Sequence, residues 1–118
     1  MNTQKVLIVS DANNQYYWIS LTKGIRKNIG PVRIVLDKDI SQQWDNHLYD
    51  VIVVDVSNIE DLHRLIPEIH QEQPRSYIII VSSTPTWKQT REVIRLGAAN
   101  LIRKSTDLDE VIQALQPL

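Results

Sequence analysis

Two aspartates, a serine and a lysine close four separate apolar runs of this 118-residue chain, and together they could handle a phosphoryl group. Asp11 follows Val6-Leu7-Ile8-Val9-Ser10, and Asp55 closes Val51-Ile52-Val53-Val54. Ser82 and Ser83 close Ile78-Ile79-Ile80-Val81, and Arg103-Lys104 follows Leu101-Ile102. Carboxylate oxygens are hard ligands suited to Mg²⁺, which keeps several waters and takes phosphate oxygens as further ligands. An aspartate can also act as the nucleophile of phosphoryl transfer and become an aspartyl-phosphate. A lysine neutralises charge on the transferring oxygens, and a hydroxyl can hydrogen-bond the product. Any one of these residues alone reads as a polar strand end entering solvent, and Asp37 is read that way. The four together, in this order of type, form a stronger signal.

The elements that must position them alternate regularly. Val32 to Leu36 is a further apolar run, broken by Arg33, so five strands are expected. Several runs are β-branched and apolar on both faces, as in a parallel sheet covered on both sides. Between them lie helical patterns. Trp18, Leu21, Ile25 and Ile29 share one helix face, and Gly30-Pro31 ends that helix. Leu62, Leu65, Ile66 and Ile69 mark another, which Pro67 is expected to kink or split. Val93, Ile94 and Leu96 belong to a helix ending at Gly97. The last helix opens at Thr106-Asp107-Leu108-Asp109, a capping-box pattern, and buries Leu108, Val111, Ile112 and Leu115. Residues 38–49, with Ile40, Trp44 and Leu48 four apart, are read as helix. Five β-α units imply an α/β fold with right-handed crossovers. Ligands of such open sheets bind outside the carboxyl ends of the strands, where the four polar residues lie.

Composition narrows the function. A formal charge of −1 argues against direct nucleic-acid binding, which usually needs a basic surplus. The absence of cysteine excludes disulfides, zinc-thiolate sites and cysteine nucleophiles. The apolar run near the N-terminus is too short for a signal peptide or a membrane span, so a cytoplasmic protein without membrane attachment is expected. Residues 1–118 read as one domain with no linker and no repeat.

The motifs resemble those of response-regulator receiver domains. Lys5-Val6-Leu7-Ile8-Val9-Ser10-Asp11 is similar to the family's opening strand and acidic pair, and Tyr49-Asp50-Val51-Ile52-Val53-Val54-Asp55 to its run into the phosphorylated aspartate. Ile80-Val81-Ser82-Ser83 resembles the strand ending in the switch Thr or Ser, and Arg95-Leu96-Gly97-Ala98-Ala99-Asn100 the approach to the lysine. The resemblance covers essentially the whole chain. It implies a flavodoxin-like (βα)5 sandwich whose five-stranded parallel sheet has the order 2-1-3-4-5. It implies Asp55 as phosphoacceptor, Asp11, Asp55 and the Ser57 carbonyl as Mg²⁺ ligands, and Ser82 and Lys104 as phosphoryl-binding and switch residues. A histidine kinase or phosphotransfer protein would be the donor. The fourth helix, fifth strand and fifth helix would face a downstream protein or a second copy. Receivers catalyse their own phosphorylation, yet they are signalling modules and not metabolic enzymes. There are departures. Ser10 stands where an acidic residue is usual, which predicts weak Mg²⁺ binding. Val56-Ser57-Asn58 replaces the usual turn after the aspartate, Leu101 replaces the switch aromatic, and Ser105 replaces a proline.

Other candidates carry less. His63 and His70 are two helical turns apart, roughly 10 Å, too far for one metal ion, and all three histidines are read as surface residues. With three glycines there is no phosphate-binding loop of the P-loop or dinucleotide type. The tryptophans read as packing residues. Lys88, Arg91 and Arg95 make a basic stripe on the fourth helix, either a solvated face or a docking surface for an acidic partner. Two functions follow: a receiver phosphorylated on Asp55, or an atypical receiver that binds partners with its pocket a relic.

Overall fold

The computed structural model describes residues 3–44 and 47–116. Five strands, β1 (Val6–Ser10), β2 (Val32–Leu36), β3 (Val51–Asp55), β4 (Tyr77–Ser82) and β5 (Asn100–Arg103), form one parallel sheet of order β2-β1-β3-β4-β5. The inner strands β1 and β3 are buried at every position. That burial explains their unbroken Val/Ile/Leu runs, because a parallel sheet with both faces covered leaves no polar side.

Alternation along each strand divides the core in two. Leu7, Val9, Ile52, Val54, Ile78 and Ile80 point to one side, where they meet α2 (Ile59–Glu72) and α3 (Trp87–Leu96). Val6, Ile8, Val51, Val53, Ile79 and Val81 point to the other, where they meet α1 (Gln15–Asn28) and α4 (Leu108–Leu115). The helix starts have local causes. Asn58 caps α2 by accepting from the Glu60 N–H, Thr86 and Gln89 form a reciprocal capping box at α3, and Asp107 caps α4 through the Asp109 N–H. The cap of α4 is thus Asp107, one residue after the expected Thr106. Gly30 ends the α1 connection at φ +156°, and a Cβ there would lie 2.1 Å from the Gln4 carbonyl oxygen.

Two expectations need correction. Residues 38–49 do not form an α-helix. A 3-10 helix covers Asp37–Gln43, no helix covers residues 47–50, and residues 45 and 46 lie outside the described residues. Of the three apolar residues that suggested a helix face, Ile40 is buried but Leu48 is 76% exposed. A helix there would have no continuous stripe to bury. Pro67 does not split α2, which runs on to Glu72. Pro67 sits on the exposed side, and the buried Leu65, Ile66 and Ile69 hold the helix across the missing N–H.

Candidate functional site

The chain leaves β1 in one direction for β2 and returns to place β3 on the opposite flank, so β1 and β3 border a topological switch point. Ser10 and Asp55 are register partners there, and the Asp11 N–H donates to the Asp55 carbonyl at 3.3 Å. Ser82 pairs with Arg103 across β4 and β5, and the Lys104 N–H donates to the Ser82 carbonyl at 2.9 Å. The four residues marked by their types are thereby drawn to one edge of the sheet.

Asp55 is the buried charge of this edge, 5% exposed. An unpaired carboxylate so placed would cost several kcal/mol, and two cationic or polar donors prevent that. The Lys104 ammonium lies 2.9 Å from Oδ2, and the Trp18 indole N–H donates to the same oxygen at 2.8 Å. Oδ1 accepts no hydrogen bond among the described residues. Lys104 also donates to Asn14 Oδ1 at 2.9 Å and lies 4.4 Å from the centre of the Tyr17 ring. The Tyr17 hydroxyl donates to the Ser105 carbonyl. Burial pushes the Tyr17 hydroxyl above its ordinary pKa, the Ser105 bond opposes that, and the nearby Asp55 charge adds to it.

Asp11 is held by its own loop. Its Oδ1 accepts from both the backbone N–H and the side-chain amide of Asn14, at 3.0 and 2.7 Å, and its Oδ2 accepts from the Ser57 N–H at 2.8 Å. The Asn14 amide also donates to the Ser57 hydroxyl at 3.1 Å. Asn14 therefore joins Asp11, Ser57 and Lys104. Ser10 does not reach into the site: fully buried, it donates its hydroxyl to the Asp11 carbonyl at 2.8 Å.

On the α2–α3 side, Asp55 borders a cavity of about 230 Å³ whose wall includes Ser57, Ser82, Ser83, His63 and Leu101. Ser82 Oγ accepts from the Thr84 N–H at 3.2 Å. Leu101 packs against the α2–α3 core. Lys88, Arg91 and Arg95 lie outside the site on α3, the fourth of the five expected helices because the second connection holds only the 3-10 turn. Glu92 interrupts that stripe. It pairs with Arg95 and lies 3.5 Å from His63 Nε2. The Arg95 hydrogen bond holds the Glu92 carboxyl below its ordinary pKa. Arg91 stacks 5.4 Å over the exposed Trp87 ring.

Sequence reasoning missed Asn14, Tyr17 and the polar role of Trp18. Asn14 stands three residues after Asp11, the spacing at which an aspartate accepts a backbone N–H in a turn. A buried indole needs an acceptor, and Val51, Val53 and Asp55 alternate onto the α1 side of the sheet.

No family model matches the chain, and no curated protein matches it. Solved structures do. A response regulator from Thermotoga maritima superposes with a TM-score of 0.81 at 20% identity, covering 96% of this chain and 94% of that one. The fold is that of response-regulator receiver domains. A response regulator protein from Burkholderia pseudomallei with a phosphorylated aspartic acid, a calcium ion and citrate has this receiver fold too, at TM-score 0.78 and 23% identity. The match covers 95% of this chain and 66% of that longer one. The receiver domain of the sensor histidine kinase PA1611 from Pseudomonas aeruginosa PAO1, with a magnesium ion coordinated in its active site cleft, matches at 0.72 and 20%, covering 98% and 96% of the two chains.

Divalent cations thus occur in receiver folds, and the donors here can be tested against one. Asp11 Oδ2 takes a single N–H, so it could ligate a cation directly, while Asp55 Oδ1, which accepts no hydrogen bond among the described residues, could reach the cation through one of its waters. Two carboxylates with open acceptor positions on adjoining strand ends fit a hard cation. Among the described residues no group of three or more His, Cys, Asp and Glu gathers for a metal ion. The set therefore fits a cation that keeps most of its waters. No helix of the described residues is long and apolar enough to cross a membrane.

Proposed function

We propose that residues 1–118 form a cytoplasmic signalling receiver domain that accepts a phosphoryl group on Asp55 from a histidine kinase or phosphotransfer protein. The observation that carries this reading is the pairing of the buried Asp55 with the half-buried Lys104, 2.9 Å apart at the switch point of the sheet. It supports the reading because this lysine can stay beside the carboxylate as the phosphoryl oxygens arrive and neutralise part of their charge. Ser82 lines the adjoining cavity and offers the hydroxyl that would sense the product. Asp11, Asp55 and the Ser57 carbonyl would hold Mg²⁺, largely through its waters, and the ion would add further neutralising charge when bound. The domain is not a metabolic enzyme. Its output surface is α3, β5 and α4, where the basic α3 stripe suits an acidic downstream protein or a second copy.

Incubation with acetyl phosphate and Mg²⁺, read by intact mass, is expected to add one phosphoryl group to the wild type and none to Asp55→Asn. Persistence of the adduct in Asp55→Asn would overturn the assignment. The second reading is a phosphorylation-independent interaction module. It is favoured by the Ser10 hydroxyl, which bonds the backbone and offers no carboxylate, and by the three N–H donors on Asp11. Absence of any adduct on the wild type would decide for it.

A further inference from the structure

Trp18 has a chemical task at this site beyond packing. Its helix contributes Trp18 and Ile25 to the core on the side of the sheet where Val51, Val53 and Asp55 point. The ring is 1% exposed, and its N–H donates to Asp55 Oδ2 at 2.8 Å, the same oxygen that lies 2.9 Å from Lys104 Nζ. The two acceptor oxygens of Asp55 are therefore unequal: Oδ2 carries two donors, and Oδ1 carries none among the described residues.

We propose that Trp18 is a positioning residue for Asp55: it fixes Oδ2 as the held oxygen and Oδ1 as the one that takes the phosphoryl group, and its N–H shortens the lifetime of the aspartyl-phosphate. This rests on the reading of Asp55 as phosphoacceptor. In formation, an Oδ1–phosphorus bond forms while the donor's bond to phosphorus breaks, and the leaving group departs with that electron pair. Oδ2 becomes the carbonyl oxygen of the acyl phosphate and remains a hydrogen-bond acceptor for the indole. In hydrolysis, a water oxygen bonds to phosphorus and gives its proton to solvent. The Oδ1–phosphorus bond breaks, and its electron pair returns to the carboxylate. The returning charge is shared with Oδ2, so a donor fixed there stabilises the leaving group as it forms. A hydrogen bond to a charged group is stronger than one to a neutral carbonyl, so the indole favours the transition state over the acyl phosphate.

The test is the decay of the adduct. Wild type and Trp18→Phe are loaded with acetyl phosphate and Mg²⁺, desalted, and followed by intact mass, with equilibrium unfolding of both run alongside. Trp18→Phe keeps an aromatic ring and loses the N–H, and its adduct is expected to last about three- to tenfold longer. A change in global stability would not lengthen that lifetime while both proteins remain folded. Equal or faster decay in Trp18→Phe overturns the role of Trp18 and leaves the phosphoacceptor standing. No adduct on the wild type overturns both. A second measurement spares the core: in ¹⁵N-tryptophan-labelled protein, one of the three indole resonances is expected to move on phosphorylation and again in Asp55→Asn. If all three stay in place under both changes, the proposal fails even where Trp18→Phe cannot be made.

Discussion

Tyr17 ties the helix that carries the Asp55 contacts to the segment after β5. Its hydroxyl donates to the Ser105 carbonyl and its ring lies under the Lys104 ammonium, so one side chain fixes the lysine's approach from two directions. Tyr17→Phe removes the hydrogen bond and leaves the ring, and it is expected to destabilise the fold by about 1 kcal/mol at neutral pH. The raised pKa of Tyr17 gives this a pH signature. The folded state holds the phenol proton more tightly than the unfolded chain, so this contribution is complete below the ordinary value of 10.0. It is lost as the pH climbs from there through the folded-state pKa, because the unfolded chain releases its proton first. The stability of Tyr17→Phe should therefore fall less steeply than that of the wild type across this alkaline window. Urea unfolding of both proteins at neutral pH and at several points above 10 measures the difference. Parallel curves would show that the hydroxyl proton is not coupled to folding.

At the scale of elements, α3 carries the surface proposed to meet a partner. The stripe reads as three cations, but folding changes its character. Arg95 is engaged with Glu92, Arg91 lies over Trp87, and Trp87 and Ile94 are 64% and 49% exposed. The face is a cationic rim around an aromatic and an aliphatic side chain. Arg91→Glu with Arg95→Glu is expected to abolish capture of an acidic partner or salt-sensitive self-association, read by pull-down and by sedimentation at low and high salt. The local cost to α3 should stay at ~1–2 kcal/mol, from a lost cation–π contact, the lost Arg95–Glu92 pair and two like-charge pairs, 92 with 95 and 91 with 95. If neither capture nor association changes, the stripe is only a solvated helix face. How far elements could be read from residues varies with what decides them. The five strands and the stops at Gly30 and Gly97 were legible because apolar runs and glycines act locally. The segment 38–49 was not, since a four-residue apolar spacing says nothing of whether a surface exists to bury it, and none covers Leu48. At the candidate site the convergence of Asp11, Asp55, Ser82 and Lys104 followed from reading strand ends. The donors on Asp11 and Asp55 did not, because the pairing of Trp18 with Asp55 depends on which face of β3 meets α1.

At the scale of the whole molecule, the two halves of the core would divide a response to the proposed phosphorylation. Trp18 and the α1–α4 layer lie on one side of the sheet and Leu101 and α3 on the other, with Asp55 at the edge between them, bonded to Trp18 and bordering the cavity that Leu101 lines. Asp55 borders the cavity that Ser82 and Leu101 also line, so a signal can reach α3 through Ser82 at the end of β4 and Leu101 on β5. In this chain both relays are stiff or indifferent. The Ser82 hydroxyl already accepts the Thr84 N–H at 3.2 Å, so turning it toward a phosphoryl group gives up a local bond. Leu101 carries no polar edge that could favour one position over another, and it packs against the α2–α3 core. A ligand shifts an equilibrium only by its differential affinity for the two states, and an aliphatic side chain sliding within an apolar layer supplies little. Phosphorylation is therefore expected to move amide resonances around residues 10–18, 55–59, 82–86 and 104–105, and to leave α3 nearly unchanged. The docking face would then be largely preformed, with the phosphoryl group acting on what binds near Asp55. Amide spectra recorded before and after acetyl phosphate treatment test this, and a large shift across residues 87–96 would show that Leu101 transmits the switch after all.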